Sequence, residues 1–214
     1  MLETAERWRR MPGLERVDSA DAAVLTFDDG PDLEGTPPVL DALDAAGVSA
    51  TFFLVGEQLM RGHALAREAR DRGHELALHG YEHAEHDSLR PQQARDDLAR
   101  ALGTFEAALG QRPRFFRPPY GRFSEASYDA CLHLGLEPVY WSAWGMDWEP
   151  LPGERVAELA SRDLAPGAIV LLHDSVRYAH RPDTTPTAAA VGRLAELAGE
   201  RGLTFRTLGA LDPS

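Results

Sequence analysis

The stretch Ala22–Val55, "AAVLTFDDGPDLEGTPPVLDALDAAGVSATFFLV", decides the fold. It opens with an apolar run of strand length, "AAVLTF", which breaks on Asp28-Asp29-Gly30-Pro31. A helix follows Thr36 as N-cap, with Pro37 suited to its first turn and Gly47 just past its end. A second run of strand length, "SATFFLV", comes next. Strand, helix, strand predicts a parallel pair joined by a helical crossover. The same alternation continues outward. "HELAL", "RFFR", "PVYWSAW", "AIVLL" and "LTFRTL" are further strand candidates. Helices are predicted from about Glu57 to Arg72, from Ser88 to Gly110, from Ser124 to Gly135, over "ERVAELASRDL" and over "TAAAVGRLAELAGERG". Seven strands alternating with six helices predict an α/β fold. The choice is a closed or nearly closed (β/α) barrel of about seven parallel strands, with an open doubly wound sheet as the alternative. No Gly-x-Gly-x-x-Gly opens a helix, so nothing supports a dinucleotide-binding sheet. Residues 21–214 are expected to form one barrel domain, and residues 1–20 an N-terminal surface segment.

Composition narrows the partners. The chain has 214 residues, 43% of them hydrophobic, which suffices for one real core. Its formal charge of −12 disfavours nucleic acid and anionic membrane, both of which reward basic surfaces. No apolar run approaches the roughly 18 residues needed to span a bilayer. The arginines of "MLETAERWRRMPG" have no apolar segment behind them, so a cytoplasmic protein is expected unless an export segment lies outside this chain. A lone cysteine, Cys131, allows no intrachain disulfide and is read as a buried structural thiol.

In a β/α barrel the active site lies at the carboxyl ends of the strands. Asp28 and Asp29 follow the first strand, His79 and His83 the third, and Arg117 through Tyr120 the fourth. Trp144, Asp147 and Trp148 follow the fifth and His173 the sixth. Each alone has a bland explanation as a turn, a cap or a satisfied core residue. Five such strand ends on one face are hard to explain separately. Four residues apart, His79 and His83 would share one face of a helical turn, close enough to grip a metal ion. Asp28 or Asp29 would complete a set of two histidines and one acid, with the other acid free to accept a proton from water. His86, also at helical spacing from His83, leaves the choice of ligand pair ambiguous.

Taken in order, "TFDDGP", "HGYEH", "RPPYG", "DW" and "LLH" resemble the polysaccharide deacetylases, carbohydrate esterase family 4. The resemblance covers nearly the whole chain. It implies a single distorted (β/α) barrel and one divalent metal, zinc first, with cobalt, nickel or iron also acceptable to such a set. The implied reaction removes acetyl groups from N-acetylated sugars, so the implied partner is an N-acetylated glycan or a small acetylated sugar. By that resemblance Asp28 is the general base, Asp29, His79 and His83 are the metal ligands, and Arg117 holds Asp28. His173 is the implied general acid, Tyr120 offers its backbone N–H to the oxyanion, and Leu171 shapes the acetyl pocket. Asp147 and Trp148 are implied on the substrate side. Two positions depart from the family pattern. Gly80 stands where a serine or threonine hydroxyl is usual, and Trp144 where an acid is usual, placing an aromatic beside the substrate groove. A silent carbohydrate-binding member of the fold is the competing reading, as is a deacylase of a small non-polymeric amide. An iron oxygenase, which could share the ligand set, would be built on a β-sandwich.

Overall fold

The computed structural model describes residue 6 and residues 8–212. Its strands are β1 (Ala22–Asp28), β2 (Thr51–Leu54), β3 (Glu75–Leu78), β4 (Phe115–Phe116), β5 (Glu137–Pro138), β6 (Ala143–Trp144), β7 (Ile169–His173) and β8 (Thr204–Phe205). Between them run α1 (Thr36–Ala46), α2 (Gly56–Asp71), α3 (Pro91–Leu109), α4 (Glu125–His133), α5 (Gly153–Ser161) and α6 (Thr185–Glu200), with a short α7 (Leu208–Leu211) after β8. Every pairing is parallel, in the order β5-β4-β3-β2-β1-β7-β6, and β8 joins the first two residues of β1. Among the described residues no ladder joins β5 to β6, so the barrel is distorted and has a seam.

The strands bury both faces, which is why β1 and β2 read as unbroken apolar runs. Alternation still sorts them. Leu25, Phe27, Phe52, Leu54, Leu76, Phe116, Val170 and Leu172 pack outward under the helices. Val24, Phe53, Ala77, Phe115, Val139 and Ile169 point inward and fill the barrel, with Val17 and Leu208 joining this inner cluster. Two residues further along each strand, the same inward face carries Thr26 and Asp28, His79, Arg117, and Leu171 and His173. The parallel register sets Asp28 beside His173 at one level of the barrel. The polar mouth is thus the continuation of the apolar plug.

Two expectations are corrected. "PVYWSAW" is two strands: β5 pairs with β4, and β6 with β7. Between them the chain changes partners across the seam. The described part of residues 1–20 is mostly exposed, as a surface segment is, but it is no loose appendage, because it pairs along that seam. Leu14 bridges to Val139 and Arg16 to Ala168, while Val17 N–H bonds the Gly167 carbonyl at 2.9 Å. Trp8 is buried, stacks on Tyr140 at 4.2 Å and donates its indole N–H to Gly121 O. No helix among the described residues is long and apolar enough to cross a membrane.

Candidate active site

Arg117 is fully buried, a position that needs several acceptors. Its guanidinium donates to Asp28 Oδ1 at 2.7 Å, Thr26 Oγ1 at 2.8 Å and the Tyr140 carbonyl at 2.8 Å. It lies 4.1 Å over the Phe53 ring. Burial pushes Arg117 down from its ordinary value, and Asp28 opposes that shift. The pairing fixes Asp28 with one oxygen on Arg117 and the other, Oδ2, 3.7 Å from His79 Nε2.

Beside Asp28 a second group converges. Asp29, held at φ 81°, brings its buried Oδ1 to 3.0 Å from His83 Nε2 and 3.5 Å from His79 Nε2. One atom from each of the three residues lies within 4.8 Å of the others. Yet Asp29 Oδ1 makes no hydrogen bond within the chain. His79 Nδ1 is 2.8 Å from the Arg117 carbonyl, which can only accept, so Nδ1 donates and Nε2 keeps its lone pair toward Asp29. Burial pushes the Asp29 carboxyl up, but the His79 and His83 imidazoles outweigh it and hold it well below the usual carboxylate range. Burial also lowers His83, against the pull of Asp29. An orphaned oxygen faced by imidazole nitrogens is a donor set that fits one divalent cation. His83 itself is wedged between Tyr178, stacked at 4.0 Å, and the edge of Tyr120 at 4.6 Å. The helical face expected for His79 and His83 is absent. His79 directly follows β3 and His83 sits in an irregular loop, because Gly80 turns the chain at φ 82°.

His173 completes the mouth. Its Nδ1 lies 2.8 Å from Asp147 Oδ1 and its backbone N–H donates to Asp147 Oδ2 at 2.9 Å. Thr187 Oγ1 donates to the same Oδ2 at 2.7 Å, and Arg181 lies 3.4 Å away. Burial alone would lower His173, but Asp147 reverses this, and the imidazole is raised to about 9. Asp147, expected on the substrate side, is corrected: it is fully buried and spends both oxygens on His173 and its surroundings. Trp148 stands edge-on to the His173 ring at 5.6 Å, and Trp144 pairs in register with buried Leu171, below His173. Tyr120 has an exposed side chain and a left-handed backbone, φ 58°, in the turn after Arg117. Arg181, Thr187 and Tyr178 carry no motif and reach the site only through the tertiary fold, while Asp174 follows His173 directly in the chain. Asp174 packs against Gly30, accepts a hydrogen bond from Thr36, and is pushed up to about 7 by burial.

A family model described as "Polysaccharide deacetylase" matches residues 15–139. The chain belongs to the polysaccharide deacetylase family. Among its relatives, a chitooligosaccharide deacetylase of Bradyrhizobium sp. is 35% identical over 74% of this chain and 73% of that protein. A peptidoglycan-N-acetylglucosamine deacetylase of Bacillus cereus is 31% identical over 71% of this chain but only 55% of its own length. A solved peptidoglycan N-acetylglucosamine deacetylase superimposes with a TM-score of 0.84 at 26% identity, over 92% of this chain and 90% of that one. A family 4 pseudoenzyme from Bacillus anthracis superimposes with a TM-score of 0.80 at 26% identity, over 89% of this chain and 65% of that one. Membership in the polysaccharide deacetylase family therefore does not by itself assign activity; the residues at the barrel mouth must carry it.

Proposed function

We propose that this chain is a metal-dependent hydrolase that removes acetyl groups from N-acetylated glycans or small acetylated sugars. The supporting observation is the junction of three buried groups at one barrel mouth: Asp28 on Arg117, the Asp29–His79–His83 cluster, and the His173–Asp147 pair. Asp29, His79 and His83 would hold one divalent ion, zinc first among zinc, cobalt, nickel and iron. When bound, such an ion polarises an amide carbonyl and makes water acidic enough to attack it.

Asp28, turned toward the cluster by Arg117, accepts the proton that water gives up as its oxygen bonds to the carbonyl carbon. The backbone N–H of Tyr120, in the left-handed turn after Arg117, would serve the oxyanion as the family resemblance implies. His173 stays protonated up to about pH 9 and passes that proton to the sugar nitrogen as the C–N bond breaks. Acetate and a free amine leave. Leu171 lines the space for the acetyl methyl, and Trp148 and Trp144 wall the sugar side.

The test is acetate release from N-acetylglucosamine oligomers and simple acetyl esters by metal-loaded protein, beside Asp28→Asn. The expected result is release by the parent and a fall in kcat of about 10²–10⁴ in the variant, since a lost proton-transfer group costs that much. An Asp28→Asn protein as fast as the parent contradicts the assignment.

A further inference from the structure

The loop Gly80–His83, which presents one metal-cluster histidine, gives its Gly80 and Tyr81 carbonyls to the Gly56 and Glu57 N–H groups at the start of α2, at 2.9 and 3.0 Å, and its amides need a further partner. Gly80 supplies no side chain where the family pattern has a hydroxyl, and its left-handed φ of 82° is one that L side chains rarely adopt. The loop is held from outside instead. Asp97, on the second turn of α3, accepts the Glu82 N–H on Oδ1 and the Tyr81 N–H on Oδ2, each at 2.9 Å. These are the two amides immediately before His83. A Cβ at Gly80 would lie 3.1 Å from Asp97 Oδ2, so the missing side chain also leaves room for the carboxylate.

Asp97 is itself held. His86 Nε2 lies 3.2 Å from Asp97 Oδ2, with His86 fully buried and stacked on Phe116. One turn further along α3, Arg100 covers the Tyr81 ring at 3.6 Å. The third histidine of "HGYEHAEH" is not among the three clustered groups; its Nε2 lies against Asp97 of α3.

We infer that Asp97, held by His86, is a positioning residue for the metal site, fixing the Gly80–His83 loop so that His83 Nε2 meets Asp29. Groups that orient a metal ligand from behind are worth about 10–100-fold in metal affinity. The inference rests on the metal-site reading above.

The experiment measures cobalt or zinc affinity by chelator competition for the parent, Asp97→Asn and His86→Gln, together with thermal unfolding of the metal-free proteins. Asn can accept at one atom only, so one loop amide loses its partner. The expected result is a loss of about 10–100-fold in affinity for Asp97→Asn and a smaller loss for His86→Gln. An affinity within twofold of the parent for both variants overturns the inference, whatever happens to the unfolding temperature. Should Asp97→Asn fail to fold, amide exchange in the unmodified protein decides: protection of the Tyr81 and Glu82 amides supports the inference, and exchange at open-chain rates overturns it. A parent protein that binds no metal brings down the metal-site reading and this inference with it.

Discussion

At the scale of single residues, the chemistry depends on what each buried charge faces. His173 titrates high because Asp147 sits against it, itself held by Thr187 and close to Arg181. A general acid must be protonated, so the rate is expected to fall as pH rises through about 9. Removing the carboxylate removes the main charge that raises His173, so Asp147→Asn should move this basic limb to lower pH. A kcat/KM profile against pH checks it, and an unmoved limb means that Asp147 does not set His173. The sign for stability is the same. A value raised from 6.5 to about 9 contributes fully below 6.5 and is lost as pH rises through 9. Cys131, by contrast, is buried with its thiol pushed up to about 12, an inert structural group. Motif residues at strand ends were legible because each sits at a break in an apolar run. Asp147 turns from the implied substrate side to His173 and Thr187, because a motif match shows a position in the chain and not the direction of a carboxylate.

At the scale of elements, apolar runs of strand length locate the strands but hide their partners. "PVYWSAW" reads as one mostly apolar run, yet its first half pairs with β4 and its second with β7. Residues 14–17 fill the gap, with the Tyr140 N–H on the Leu14 carbonyl at 2.8 Å. Nothing local in "MPGLERV" announces this, because a strand-like segment so short is defined by the edges it meets. The Tyr140 hydroxyl donates to the Met11 carbonyl and the Tyr128 hydroxyl to the Pro12 carbonyl, so the segment is anchored by side chains from two other elements. Tyr140 also accepts Arg117 on its carbonyl, which connects the N-terminal segment to the residue that holds Asp28. Trp8→Ala is therefore expected to destabilise by about 3–5 kcal/mol, the usual range for emptying a buried tryptophan site. Denaturant unfolding measures it; a change under about 1 kcal/mol would show the segment to be dispensable. His79 and His83 illustrate the same limit. Their spacing suits a helix, but Gly80 turns the chain and a loop brings them together.

At the scale of the whole molecule, a parallel barrel gathers polar groups that are far apart in sequence. Its inward faces are apolar below and polar at the mouth, so Asp28, His79, Arg117 and His173 meet although up to 145 positions separate them. That part of the site was legible because barrel topology makes strand ends neighbours by construction. The supporting groups, from α3 and from the segment after β7, were not, because they act across contacts that no periodicity encodes. On the proposed reading, one metal ion held at Asp29, His79 and His83 makes this mouth hydrolytic. The most direct measurement is a titration of metal-stripped protein with zinc or cobalt, following acetate release and bound metal together. Activity is expected to rise linearly and break at about one ion per chain, with neither binding nor activity in Asp29→Ala. Full activity in the stripped protein, or unchanged binding in Asp29→Ala, would contradict that reading.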